Sequence, residues 1–198
     1  MTQIISSKLG IYESQWVNRQ PENIDFLRPN GFRFLIQTLP GVTYFCQAAN
    51  IPEMSLGVAT HPTPLVDIPR PGEKITYGSL TVRFMIQEDL KNYMELYNWM
   101  IGLGFPENHK QYTKFNESQL YRFPSSRGRT DGTEYSDATL IVLDSNNNPN
   151  AKFDFFDCFP VSLSGMDFDV ASGSTQYFQG TAVFKYRHFS MESLLPTA

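Results

Sequence analysis

Charge is scarce in this 198-residue sequence: Asp, Glu, Lys and Arg make up 18%, below the usual quarter for a globular chain. Histidine and cysteine are rarer still, with three and two copies. None of His61, His109 and His188 stands at metal-ligand spacing from another His or Cys, so no metal site is expected. Cys46 and Cys158 lie far apart in apolar, aromatic surroundings and read as buried structural thiols, not as a disulfide framework. No run of apolar residues approaches the ~20 that a membrane helix needs, and residues 1–10 carry no apolar core of signal-peptide length. The expected place of synthesis is therefore a cytoplasm, with no membrane partner. The net charge of −4 excludes a surface built to grip nucleic acid, which needs clustered Lys and Arg.

Sites for catalysis are missing too. Ser164-Gly165 lacks the preceding Gly of a nucleophile elbow. The loop around Gly128 and Gly132 is not followed by the Lys-Ser/Thr of a phosphate loop. Residues 144–150 are Asn-rich without the glycine or closing Glu of a calcium loop. Asp167 and Asp169, two apart on an expected strand, share one face and read as a solvated acidic face. Arg122, Arg127 and Arg129 form a small basic cluster near Tyr121 and Phe123, read as a contact between subunits or a solvated loop. Neither an enzyme nor a cofactor is expected.

What the sequence does hold is aromatic and extended. Aromatics reach 14%, with 16 Phe and 10 Tyr. With so little polar surface, part of the exterior is expected to be buried against other chains. Strands are expected over 32–36 and, after a turn at Leu39-Pro40-Gly41, over 42–47 as its hairpin partner. Residues 80–87 alternate most clearly, Leu80, Val82, Phe84 and Ile86 facing in. Further strands are expected over 137–143, 152–156, 159–170 (with a bulge at Gly165) and 176–189, the turn at 144–150 being strongly marked. One helix is expected over 88–103. Leu90, Tyr93, Met94, Tyr97, Met100 and Ile101 would face the core, and Gly102 and Gly104 would end it. Residues 105–134 read as irregular.

The segment 48–77 stands apart. Pro52, Pro62, Pro64, Pro69 and Pro71 forbid a central strand throughout. Yet Ile51, Met54, Leu56, Val58, Leu65, Val66 and Ile68 are apolar. A long loop of this kind is expected to be an interaction loop, with a short edge strand near 65–68. The fold class is mainly β: an antiparallel sandwich or barrel with one flanking helix. The expected organisation is an N-terminal arm (1–28), a β domain (29–190) and a C-terminal arm (191–198).

The order of these pieces resembles the tail tube proteins of T4-like contractile-tailed bacteriophages. The resemblance is carried by Phe26-Leu27-Arg28-Pro29-Asn30-Gly31-Phe32-Arg33-Phe34 and by 42–52. It continues through Pro71-Gly72-Glu73-Lys74, 77–84, Glu88-Asp89-Leu90-Lys91-Asn92-Tyr93 and Trp99, and closes with Phe159-Pro160 and the final alternating strand. It implies a structural subunit whose hexameric rings stack into the inner tube of a contractile tail. The loop 48–77 would then form the inter-ring interface, and Asp167 and Asp169 would face a channel through which DNA passes unbound. The implied partners are copies of itself, the sheath, the baseplate and the tail terminator, in a virion tail assembled in the host cytoplasm. The extra length at the N-terminus and over 105–134 leaves a baseplate tube initiator as an alternative. The tube of a non-phage contractile injection system is a second, and a carbohydrate-binding β-sandwich using Trp16 and Trp99 a distant third.

Overall fold

The computed structural model describes residues 26–117, 134–169 and 177–194. The chain divides into two units, residues 1–30 and 31–198. Of the first, residues 26–30 are described and end in a turn at Pro29–Asn30. All that follows concerns the second.

Nine strands and three helices occur among the described residues. In chain order they are β1 (Phe32–Ile36), α1 (Pro40–Tyr44), β2 (Cys46–Ala49), β3 (Met54–His61), β4 (Ile68–Tyr77), β5 (Leu80–Met85), α2 (Lys91–Gly104), α3 (Lys110–Glu117), β6 (Ser136–Leu143), β7 (Pro149–Leu163), β8 (Gln179–Lys185) and β9 (His188–Ser193). All strand pairs are antiparallel.

The framework is two long runs that pair along their length. Beginning at β7, the partners are β8 for its C-terminal half (Phe159 opposite Lys185) and β9 for its N-terminal half (Phe156 opposite His188). Both runs bend at one place. Asp157 takes a left-handed φ of 55° there, and the chain leaves β-structure at 186–187. The Arg187 amide donates to the Phe156 carbonyl (2.9 Å), and the guanidinium meets Asp157 Oδ2 at 3.1 Å. Strands that change sheet do so at bends of this kind. On one side of the corner the order is β1-β6-β7-β9; on the other it is β7-β8-β5-β2. The inner faces of both halves, Phe34, Leu140 and Phe155 with Val82, Phe84 and Phe184, join one hydrophobic cluster.

The expected strand at 159–170 is thus the latter part of a longer one that stops at Leu163, and its irregularities sit at Asp157 and between Pro160 and Ser162, not at Gly165. Pro160 is tolerated because the C-terminal half of β7 pairs only with β8, leaving one edge free. The turn between β6 and β7 forms as its composition dictates: Asp144 Oδ1 accepts from the amides of Asn146 (2.7 Å) and Asn148 (2.9 Å).

The expected hairpin between 32–36 and 42–47 does not form. Residues 40–44 make a helical turn with proline in its first turn, where its missing N–H costs nothing. Thr43 Oγ1 accepts from the Ile36 amide (3.1 Å), and Val42 is fully buried. The chain then continues into β2, which pairs with β5 instead of β1.

Helix α2 corrects a second expectation. Its buried residues are Asn92, Leu96, Trp99 and Gly102, not the stripe of Met94 and Tyr97, which is half exposed. A polar residue can face the core because its bonds are met: Asn92 Nδ2 donates to the Met85 carbonyl (2.7 Å), and its Oδ1 accepts from the Gln87 amide (3.2 Å). Gly102 does not end the helix. A Cβ there would lie 2.5 Å from the Phe115 ring, so the glycine lets α3 pack close. Residues 105–134, expected to be irregular, contain that helix.

Candidate functional site: an exposed arm and uncovered sheet edges

Strands β3 and β4 form a two-stranded sheet that pairs with no other strand among the described residues. The loop expected at 48–77 is therefore a β-hairpin arm. Its prolines are compatible with a ladder because each strand has a free edge, and Pro69 and Pro71 stand opposite Thr60 and Val58. The root is fixed. Asn50 Oδ1 accepts from the Thr81 amide (2.6 Å) and its Nδ2 donates to the Ser79 carbonyl (3.1 Å), while the Gly78 amide donates to Glu53 (2.9 Å). Tyr77, at the end of β4, packs on Phe189 and Tyr186.

Beyond the root the arm touches little. Every residue of β3 is exposed. Met54, Leu56 and Val58 are 60%, 51% and 69% accessible. Met54 and Leu56 share a face with their partners Tyr77 and Ile75, and the pairing then shifts register before Val58 meets Pro71. The opposite face carries Ser55, Ala59 and His61 against Thr76, Arg70 and Ile68. The seven apolar residues singled out in the sequence, Ile51, Met54, Leu56, Val58, Leu65, Val66 and Ile68, are all exposed. They are not one surface: Leu65 and Val66 sit in the connection at the tip, and Ile68 pairs with His61 on the more polar face. Single exposed apolar residues are ordinary, but a contiguous set marks a contact.

Four strand edges are also uncovered among the described residues: β1, β2, β9 and the C-terminal half of β7. Such edges invite pairing with another chain.

The remaining candidates do not converge. Asp167 and Asp169 are exposed and lie past the end of β7 instead of on a strand. Phe168 between them packs against Phe178 with centroids 4.8 Å apart and the rings tilted by 55°. His61 is on the arm, His109 stacks on Tyr112 and His188 on Phe156. Among the described residues, no three of His, Cys, Asp and Glu gather to hold a metal. Trp99 is fully buried and donates to the Glu134 carbonyl at 3.3 Å, so it offers no sugar platform; Trp16 lies outside the described residues, as do Arg122, Arg127 and Arg129. Burial pushes the Cys46 thiol up to about 11 and the Cys158 thiol higher still.

Fold and exposed arm together define a mainly antiparallel β protein with an uncovered hairpin. A profile described as phage tail tube protein matches residues 33–192, and the chain belongs to that family. It is 26% identical over 159 residues to the tail tube terminator protein of Enterobacteria phage T4, covering 78% of this chain and 81% of that one. Among solved structures it resembles the tube-terminating cap of the anti-feeding prophage (TM-score 0.57, 12% identity, 89% of this chain and 98% of the other). It also resembles a chain in the sheath/tube terminator of the extracellular contractile injection system PVC (TM-score 0.55, 14% identity, 86% and 99%). At those identities the two structures speak for the fold alone. No helix among the described residues is long and apolar enough to cross a membrane.

Proposed function

We propose that the chain forms a ring that closes the end of the inner tube in a contractile phage tail, and that it has no catalytic role. The observation that carries assembly is the arm at residues 54–77, exposed on both faces and held rigidly at its root. An arm that buries little beyond its root in its own chain gains stability chiefly from a neighbour. The uncovered edges of β1, β2 and β9 fit the same reading, since closing strands around a ring removes edges. The terminal position is supported by the T4 relative, named for that position.

A second reading is the repeating subunit, favoured by the family's description. In it the apolar residues of 48–77 would touch the next ring. Electron microscopy separates the two. As a terminal ring, the purified chain gives short rings and caps added tube ends. Long open tubes from the chain alone would make it the repeating subunit. Monomers at every concentration, with or without tubes, would reject both. Genome neighbours decide between a phage and another contractile system, capsid and terminase genes marking the phage. The partners in this reading are further copies, the tube, the sheath and the baseplate-anchored tail as a whole, in the virion.

Asp167 and Asp169 are proposed to face the channel, where carboxylates would keep DNA phosphates from sticking. Replacing both with Lys should slow DNA delivery, measured as the lag between adsorption and genome entry. An unchanged lag would remove them from the channel wall.

A further inference from the structure

Helix α2 carries two apolar stripes, and one of them has no partner among the described residues. The inner stripe is Leu96 and Trp99, with Asn92 and Gly102. The outer one runs through Met94 and Tyr97, each 52% accessible, then Ile101 and the exposed Phe105 just past the helix end. These positions are three and four apart and lie on one side. Phe105 extends the surface through edge contacts to His109 and Tyr112. Between Met94 and Pro106 the single charged side chain is Glu95, and it is half-buried. A core-packing helix normally turns such residues inward.

The arm has a matching row. Met54 and Leu56 share one face of β3, Val58 continues the run across a register shift in the hairpin, and residues 54–61 contain no Asp, Glu, Lys or Arg. At ~3.4 Å per residue that row is about 14 Å long. At ~1.5 Å per residue the outer stripe from Met94 to Phe105 is about 16 Å long. Both are uncharged, both are exposed, and each molecule has one of each.

We propose that the Met54-Leu56-Val58 row of one copy lies along the outer α2 stripe of the next copy around the ring. The contact is head-to-tail, and a head-to-tail contact whose rotation closes makes a ring with no unpaired arm or stripe. The more polar arm face, with Ser55, Ala59 and Arg70, stays toward water. This inference rests on the ring reading above and names the surface that receives the arm.

The test mixes two variants. Leu56→Cys and Tyr97→Cys are purified separately, combined at a concentration where rings are seen by electron microscopy, and mildly oxidised. A heterodimer on a non-reducing gel, absent from either variant alone, is the expected result. Tyr97→Asp should in parallel raise the concentration needed for rings about tenfold or more, with the melting curve of the monomer unchanged. Rings without the heterodimer would overturn the inference while leaving the ring reading intact. So would rings of Tyr97→Asp at the wild-type concentration, or capture of Leu56→Cys by a different chain of the tube. Absence of rings under all conditions, tubes included, would overturn both.

Discussion

Close packing at single residues sets several measurable costs. Gly180 lies against Phe84, whose ring would be 2.7 Å from an added Cβ, and Gly102 lies against Phe115 in the same way. Each glycine to alanine change overpacks a closed site and should destabilise by about 1–3 kcal/mol, read from urea midpoints. Asn92→Leu removes a side chain that satisfies two backbone groups and should cost a similar ~1–3 kcal/mol, because those groups stay buried and unpaired. Glu95 behaves differently. Its Oε2 is buried, and burial raises its carboxyl above the ordinary value, the Gly41 amide opposing this only in part. A raised acid favours the neutral form. Its stabilising contribution is full below the ordinary glutamate value and is lost as pH rises through the raised one. Glu95→Gln should therefore melt above the wild type at about pH 7.5, with the gap closing near the unperturbed 4.5. A gap independent of pH would refute this account. The two thiols should resist an aromatic disulfide reagent at mildly alkaline pH, Cys158 reacting only after unfolding, since the thiolate is the nucleophile.

Among the elements, those set by local chemistry were legible in the sequence and those set by distant packing were not. The β6–β7 hairpin was readable because apolar alternation flanks a turn that Asp144 ties with its own side chain. The turn of helix at α1 was not. Val42, Thr43, Tyr44 and Phe45 are residues with β propensity, and what overrides it is the burial of Val42 and the Thr43 bonds to the end of β1. Helix α2 was placed within a few residues, yet its core face was misread. The most apolar stripe points outward, and the inner stripe includes an asparagine whose partners on β5 and beyond were invisible in the sequence. The arm was recognised as special through its prolines, but its strands were hidden by the same prolines, because a two-stranded sheet with two free edges accommodates them. Asn50 is the element's hinge pin. Asn50→Ala should leave the melting temperature of the body nearly unchanged and speed hydrogen exchange at Thr81, whose amide it binds.

For the whole molecule, the sequence identified the class of fold and the family, both carried by the order of strands around one helix. The position of the chain within a tail was less legible, since a repeating ring and a closing ring use the same framework and differ in what they meet. Asp167 and Asp169, expected on a strand, lie beyond the end of the one that leads toward them. Two charges on the arm test assembly apart from folding: Leu56→Asp with Val58→Asp should change monomer stability by no more than ~0.5 kcal/mol, as surface changes do, and should abolish rings in sedimentation. The bend shared by β7 and the β8–β9 run has a mechanical consequence. Each long run belongs to both wings of the sandwich, so the wings cannot part like the covers of a book without tearing both ladders at once. Deuterium uptake should therefore rise in concert at 153–156 and 159–163, as a single opening event, and a tail firing under load would meet a clasp instead of a hinge.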